Sequence, residues 1–177
     1  MTEPWLQYAR YNRLANETLY AACAGLSDAE YRRDLGAFFG SVHGTLNHLL
    51  LGDTIWMTRF EGGTHASTGL DAILFDGFDD LRAARRRMDE RIERFFASLP
   101  IGFAAGTVRY VNNAGFESED PLSVILPHFF NHQTHHRAQV HTLLSQLGYA
   151  PPVLDLHRVL RPNPQLPDLE TSTGLAR

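Results

Sequence analysis

A chain of 177 residues, 44% hydrophobic and 20% charged, can bury one substantial core, and its formal net charge is −4 with histidines neutral. That mild acidity gives no global attraction to nucleic acid or anionic lipid, and no apolar run approaches the ~18 residues of a membrane span. The opening MTEPWLQYARYN lacks the basic-then-apolar pattern of a secretion signal, and the single cysteine, Cys23, has no partner for an internal disulfide. A soluble cytoplasmic protein that engages neither nucleic acid nor membrane is expected.

No internal repeat or interior linker divides the chain, so a single domain is expected over residues 1–161. Pro162, Pro164 and Pro167 mark an extended, poorly ordered tail over 162–177. Apolar spacing predicts four helices. The first runs from about Pro4 to Ala24 before Gly25, with Tyr8, Ala15, Leu19, Ala22 and Leu26 on one seam and Asn12 among them. The second starts after Ser41 as N-cap and ends before Gly62–Gly63; Asp53 falls inside its apolar face and His48 at the edge. The third follows Asp79–Asp80 and stops at Pro100. Arg85 fills the polar slot in its heptad-like face, while Arg82, Arg86, Arg87, Arg91 and Arg94 alternate with Asp89, Glu90 and Glu93 as a self-neutralised, solvated surface.

Val108, Tyr110 and Val111 have strand propensity, and Asn112–Asn113 suit a turn, so a short β-hairpin is expected between the third and fourth helices. The fourth helix runs from about Pro121 to Leu147, with Pro127 expected to kink or restart it. The fold class is therefore all-α, a four-helix bundle with a possible hairpin.

Five of the nine histidines crowd into HFFNHQTHHRAQVH, residues 128–141. On a wheel of about 100° per residue centred on His136, Ile125, Phe129, Leu143 and Leu147 fall within about 20°, and His132 lies about 40° away. His128 and His135 sit about 80–100° off, and His141 about 140° off, towards solvent. His132 and His136 thus share the buried face, one turn apart, where two imidazoles can reach one cation. The glutamate of an H-E-x-x-H helix is absent, as is the Glu-x-x-His of di-iron bundles.

A catalytic centre needs a third ligand. The periodicity leaves His48 open between that role and a boundary histidine bonded to a backbone carbonyl. His43 points about 140° from His48 and is expected to be exposed; His65 and His157 read as structural or solvated.

These residues resemble a known family. NHQTHHRAQ, preceded by HFF, is similar to the N-H-x-x-H-H-R-G-Q hallmark of the DinB/YfiT-like four-helix-bundle proteins. YNRLAN (11–16), LNHLLLGDTIW (46–56) and PPVLDL (151–156) match further family segments in order, so the resemblance spans about residues 5 to 157. It implies a metal triad of His48, His132 and His136, one divalent ion (zinc or nickel), a homodimer and a small-molecule substrate. Relatives include enzymes that use low-molecular-weight thiols. The one visible departure is Ala138 where the family often has glycine, a methyl expected to widen a helix contact.

The resulting expectation is a metal-dependent enzyme acting by hydrolysis or thiol-S-transfer. The alternative is a non-catalytic bundle with a structural or sensory ion, which His128 or His135 would favour by closing the site as a fourth ligand. No general base can be named. Asn12, Asn16, Asp53 and Arg85 are candidates to line a pocket or to pack, and Arg137 to pair with an acid.

Overall fold

A computed structural model describes residues 3–65, 68–112 and 114–162. The tail expected over 162–177 falls, beyond Pro162, outside the described residues, as does Asn113 of the expected turn.

The chain is mostly helical. Helix α1 (Glu3–Cys23) is followed by a short α2 (Asp28–Arg32), then α3 (Val42–Phe60) and α4 (Phe78–Ala97). A hairpin of β1 (Thr107–Val111) and β2 (Glu117–Pro121) precedes α5 (Leu122–Gln146), and α6 (Leu156–Leu160) comes last. The hairpin is antiparallel with Arg109 opposite Glu119, and Asn112 shapes its turn by accepting from the Ala114 and Phe116 amides.

The four long helices form a ring in which α1 packs on α4 and α5, and α3 packs on the same two. Leu19, Leu46, Met57, Leu81, Ile92, Leu126, Phe129, Val140 and Leu144 fill the interior. No helix among the described residues is long and apolar enough to cross a membrane.

Local signals explain most boundaries. Ser41 caps α3 by accepting from the Gly44 amide, as expected. The expected start of the third helix is slightly late: α4 begins at Phe78, placing Asp79 and Asp80 in the first turn, where they meet the positive end of the helix dipole. Pro127 does not restart the fourth helix, since α5 continues through it as one element. Helix α2 was not expected, although Ser27 and Glu30 form a reciprocal capping box, a signal legible in SDAE. Tyr8, expected on the inner seam, is half-exposed and stacks on Phe130; Ala9, Asn12, Asn16 and Tyr20 take the inward positions.

A continuous polar network crosses the centre of the ring. Arg85, only 3% exposed, donates to Asp53 Oδ2 at 2.5 Å and lies 2.9 Å from Asp89 Oδ1. Gln133 donates to the other oxygen of Asp53 at 2.8 Å. Asn12 and Asn16 donate to Asp89 Oδ1 at 3.2 and 2.9 Å, and their own carbonyl oxygens accept from Arg137, which lies over the face of Tyr11. The four helices α1, α3, α4 and α5 each supply a member.

Two expectations are corrected here, and one open alternative is decided in favour of packing. Asp89 is not on a solvated face but buried, because α1 covers that side of α4; burial pushes its carboxyl up to about 7, against the pull of Arg85 and Asn16. Arg137 is fully buried and hydrogen-bonds to amides and not to an acid. Asn12, Asn16, Asp53 and Arg85 build the core network and line none of the cavities described below. The remaining charges of α4 behave as expected, Glu90 pairing with Arg94 and Arg91 with Glu61 at the surface.

Removing one partner of a buried pair leaves an uncompensated charge. Arg85→Met is expected to cost about 3–5 kcal/mol at pH 7 by urea denaturation. Part of that loss should return at mildly acidic pH, as protonation of Asp89 removes a charge that Arg85 no longer offsets.

Candidate metal centre

His48 projects from α3, and His132 and His136 from α5, towards one point between the two helices. A ring nitrogen from each lies within 4.8 Å of the others, and the ring centroids are 4.4–5.1 Å apart. The geometry brings together the three residues that the family resemblance singled out. His48 and His136 are buried and His132 is half-buried.

At His48 and His136 the outer nitrogen is engaged in a way that frees the inner one. His48 Nδ1 lies 2.8 Å from the Leu70 carbonyl oxygen, which can only accept, so the proton sits on Nδ1 and Nε2 presents a lone pair. His136 Nδ1 lies 2.7 Å from Gln139 Oε1. His48 Nε2 and His132 Nε2 are 3.1 Å apart. Burial lowers the pKa of all three, helped at His132 and His136 by repulsion from neighbouring histidines, to about 3 at His132 and about 4 at His136. At neutral pH the cluster is therefore three uncharged imidazoles, with the lone pair of His48 Nε2 turned towards His132 Nε2. Such a borderline-soft nitrogen donor set fits a divalent transition metal ion.

The surroundings depend on close approaches that the helix wheel does not reveal. Gly52, inside α3, is needed because a Cβ there would stand 2.8 Å from His132 Cε1. Gly44, two turns earlier, lets the Phe39 carbonyl lie where a Cβ would otherwise meet it at 2.1 Å. Held there, Phe39 stacks on His48 with centroids 3.8 Å apart and meets the edge of His136, covering one face of the cluster. Isolated glycines within VHGTLNHLLLGDT were the available signal for both contacts.

The other cover is the segment before α4. Asn47 Oδ1 accepts from the Leu74 and Phe75 amides, and its Nδ2 donates to the carbonyls of Phe75 and His43, tying that segment to α3. This overturns the expectation for His43, which is buried, its Nε2 3.2 Å from the Phe75 carbonyl. A wheel built on α3 alone assigns that side to solvent, whereas the returning chain covers it.

His128 is exposed, its ring set edge-on to Trp56, and His135 is exposed beside Gln139; neither belongs to the converging group. His65 is half-buried in its loop, and His157 is exposed at the start of α6. A cavity of about 430 Å³ opens on the Gln139 side, walled by Leu35, Ala37, His135, Ala138, Gln139 and Thr142. Ala138 is exposed on this wall, so its methyl narrows the cavity and does not widen a helix contact.

The sequence profile of the DinB family matches residues 1–169. The chain is also similar to Protein DinB of Bacillus subtilis (strain 168), with 24% identity over 156 residues, covering 79% of this chain and 84% of the relative.

Gly52→Ala tests the close approach. Alanine favours the helix by about 1 kcal/mol, so thermal stability should hold or rise. The displaced His132 ring should nevertheless weaken zinc affinity about tenfold or more in a chelator competition. The depressed histidine pKa values set a second outcome. In the unfolded chain these groups protonate near pH 6.5, but in the fold only near pH 3–4 at His132 and His136, so between those limits the unfolded state binds more protons. The stability of metal-free protein should be fully present above about pH 6.5 and fall as the pH drops towards 4, as seen in urea midpoints. His132→Gln should flatten that fall.

Proposed function

The chain belongs to the DinB family, and on that premise we propose that it is a metal-dependent enzyme whose His48, His132 and His136 hold one divalent ion, zinc or nickel, and which acts on a small molecule by hydrolysis or thiol-S-transfer. The observation that carries this reading is the convergence of three neutral imidazoles from two helices, two of them with the outer nitrogen already engaged. When bound, the ion would supply Lewis acidity, either to activate water or to hold a low-molecular-weight thiol as its thiolate.

The chain's own residues supply the rest. The Leu70 carbonyl and Gln139 orient two of the rings, and Phe39 shields the His48 face from water. The cavity beside Gln139, with apolar walls from Leu35, Ala37 and Leu143 and polar groups from Thr142 and Gln146, offers room for a small substrate. Three converging ligands, with no fourth acid, cysteine or histidine in the group among the described residues, favour an open catalytic centre over a closed structural one. The buried Cys23, whose thiol burial pushes up to about 12, is an inert core residue and no candidate nucleophile. A homodimer completes the reading on the strength of the family resemblance, and the single cysteine suits a reducing cytoplasm.

Elemental analysis of the purified protein beside the triple variant His48→Ala, His132→Ala, His136→Ala tests the centre. About one divalent ion per chain in the native protein, lost in the variant, is the expected result. Absence of metal from the native protein after incubation with zinc and with nickel would overturn it. For a loaded protein, thiol consumed in proportion to turnover separates transfer from hydrolysis.

A further inference from the structure

We propose that Gln139 is the positioning residue of the three-histidine centre: its amide oxygen holds the His136 proton on Nδ1 and thereby reserves Nε2 for the cation. The inference rests on the metal-centre reading and deepens it.

An imidazole in water favours the proton on Nε2, the tautomer that cannot ligate through that atom. A partner that holds the proton on Nδ1 therefore readies a ring to ligate through Nε2, and two rings of the cluster have one. For His48 the partner is the Leu70 carbonyl, which admits one arrangement only. For His136 the partner is a side-chain amide, which can present either an acceptor or a donor. With Oε1 towards the ring at 2.7 Å, Nδ1 donates and Nε2 is bare. With the amide turned over, Nδ1 would accept, the proton would move to Nε2, and the third ligand would be lost.

The helix places this control one turn from its target. Gln139 follows His136 by three residues and His135 by four, so both rings lie on its side of α5. With Oε1 committed to His136, its Nε2 lies 3.4 Å from His135 Nε2, which accepts when the His135 proton is on its own Nδ1. Gln139 also walls the cavity beside the centre, so the group that sets the ligand tautomer is in reach of whatever occupies that space. His135 then acts at a distance from the ion, through the far end of the amide.

The test uses the whole chain in two measurements. In metal-free protein at neutral pH, long-range nitrogen–proton correlation spectra report the tautomer of His136, assigned by its loss in His136→Gln. The native protein should show Nδ1–H and Gln139→Leu should show Nε2–H. Gln139→Glu, an acceptor only, should retain Nδ1–H. In chelator competition with zinc alone, Gln139→Leu should bind about 10–100-fold more weakly than the native protein, and Gln139→Glu should recover most of that loss.

A purely structural role predicts equal impairment of both variants with no change of tautomer. Nε2–H on His136 in the native protein, or zinc affinity of Gln139→Leu within about threefold of native, would overturn the inference while native zinc binding stands. Failure of the native protein to bind zinc or nickel at all would instead overturn the metal-centre reading, and this inference with it.

Discussion

The arrangement depends on a polar network sealed inside the bundle. Asp53, Arg85, Asp89 and Arg137 are each no more than 3% exposed, two acidic side chains set among two guanidinium groups, with Asn12, Asn16 and Gln133 hydrogen-bonded to them. Such a network adds little net stability over a well-packed apolar core, because desolvation offsets most of the Coulombic gain. What it contributes is rotational register. Every helix of the ring holds at least one member, so turning any of them by one residue, about 100°, would strand a buried charge.

That register is what aims the histidines. Gln133 and Arg137 each directly follow a histidine of the cluster, and Asp53 directly follows Gly52, on whose bare Cα the His132 ring rests. Locking Gln133 onto Asp53 and Arg137 onto Asn12 fixes the rotation of α5, which leaves His132 and His136 facing α3. The core polar groups and the histidine cluster are adjacent layers of one device. The inner layer holds the helices in phase, and the outer layer presents nitrogen lone pairs. The cover over the cluster follows the same economy, since Phe39 and the segment tied down by Asn47 enclose the rings using contacts made to α3 itself.

The bundle was legible because apolar spacing reports which side of a helix is buried, and the boundaries at Ser41 and Gly148 carry capping chemistry in the residues themselves. His132 and His136 were legible for the same reason, being polar residues on an otherwise apolar arc. His48 stood at the margin of its own arc and was settled by resemblance to the DinB family. His43 and Asp89 were misplaced because a wheel describes one helix in isolation, whereas their burial comes from a returning segment and from a neighbouring helix. Gln139 stood in the sequence only as the last letter of the family hallmark, with no role attached, and Phe39 left no mark at all: one phenylalanine in a turn is ordinary until its neighbours are known.

The sequence by itself determined four amphipathic helices, a hairpin with strand-forming residues, and a pair of histidines one turn apart, since each follows from short-range periodicity and local hydrogen bonding. Only the tertiary structure decided which nitrogen each ring presents, which polar residues pair across the core, and what covers the cluster. Apart from Gln139 on His136 and Phe39 on His48, those outcomes depend on atoms brought together from positions some twenty to more than a hundred residues apart. Separations of that order carry no periodic signal, because the contact exists only after the helices have packed.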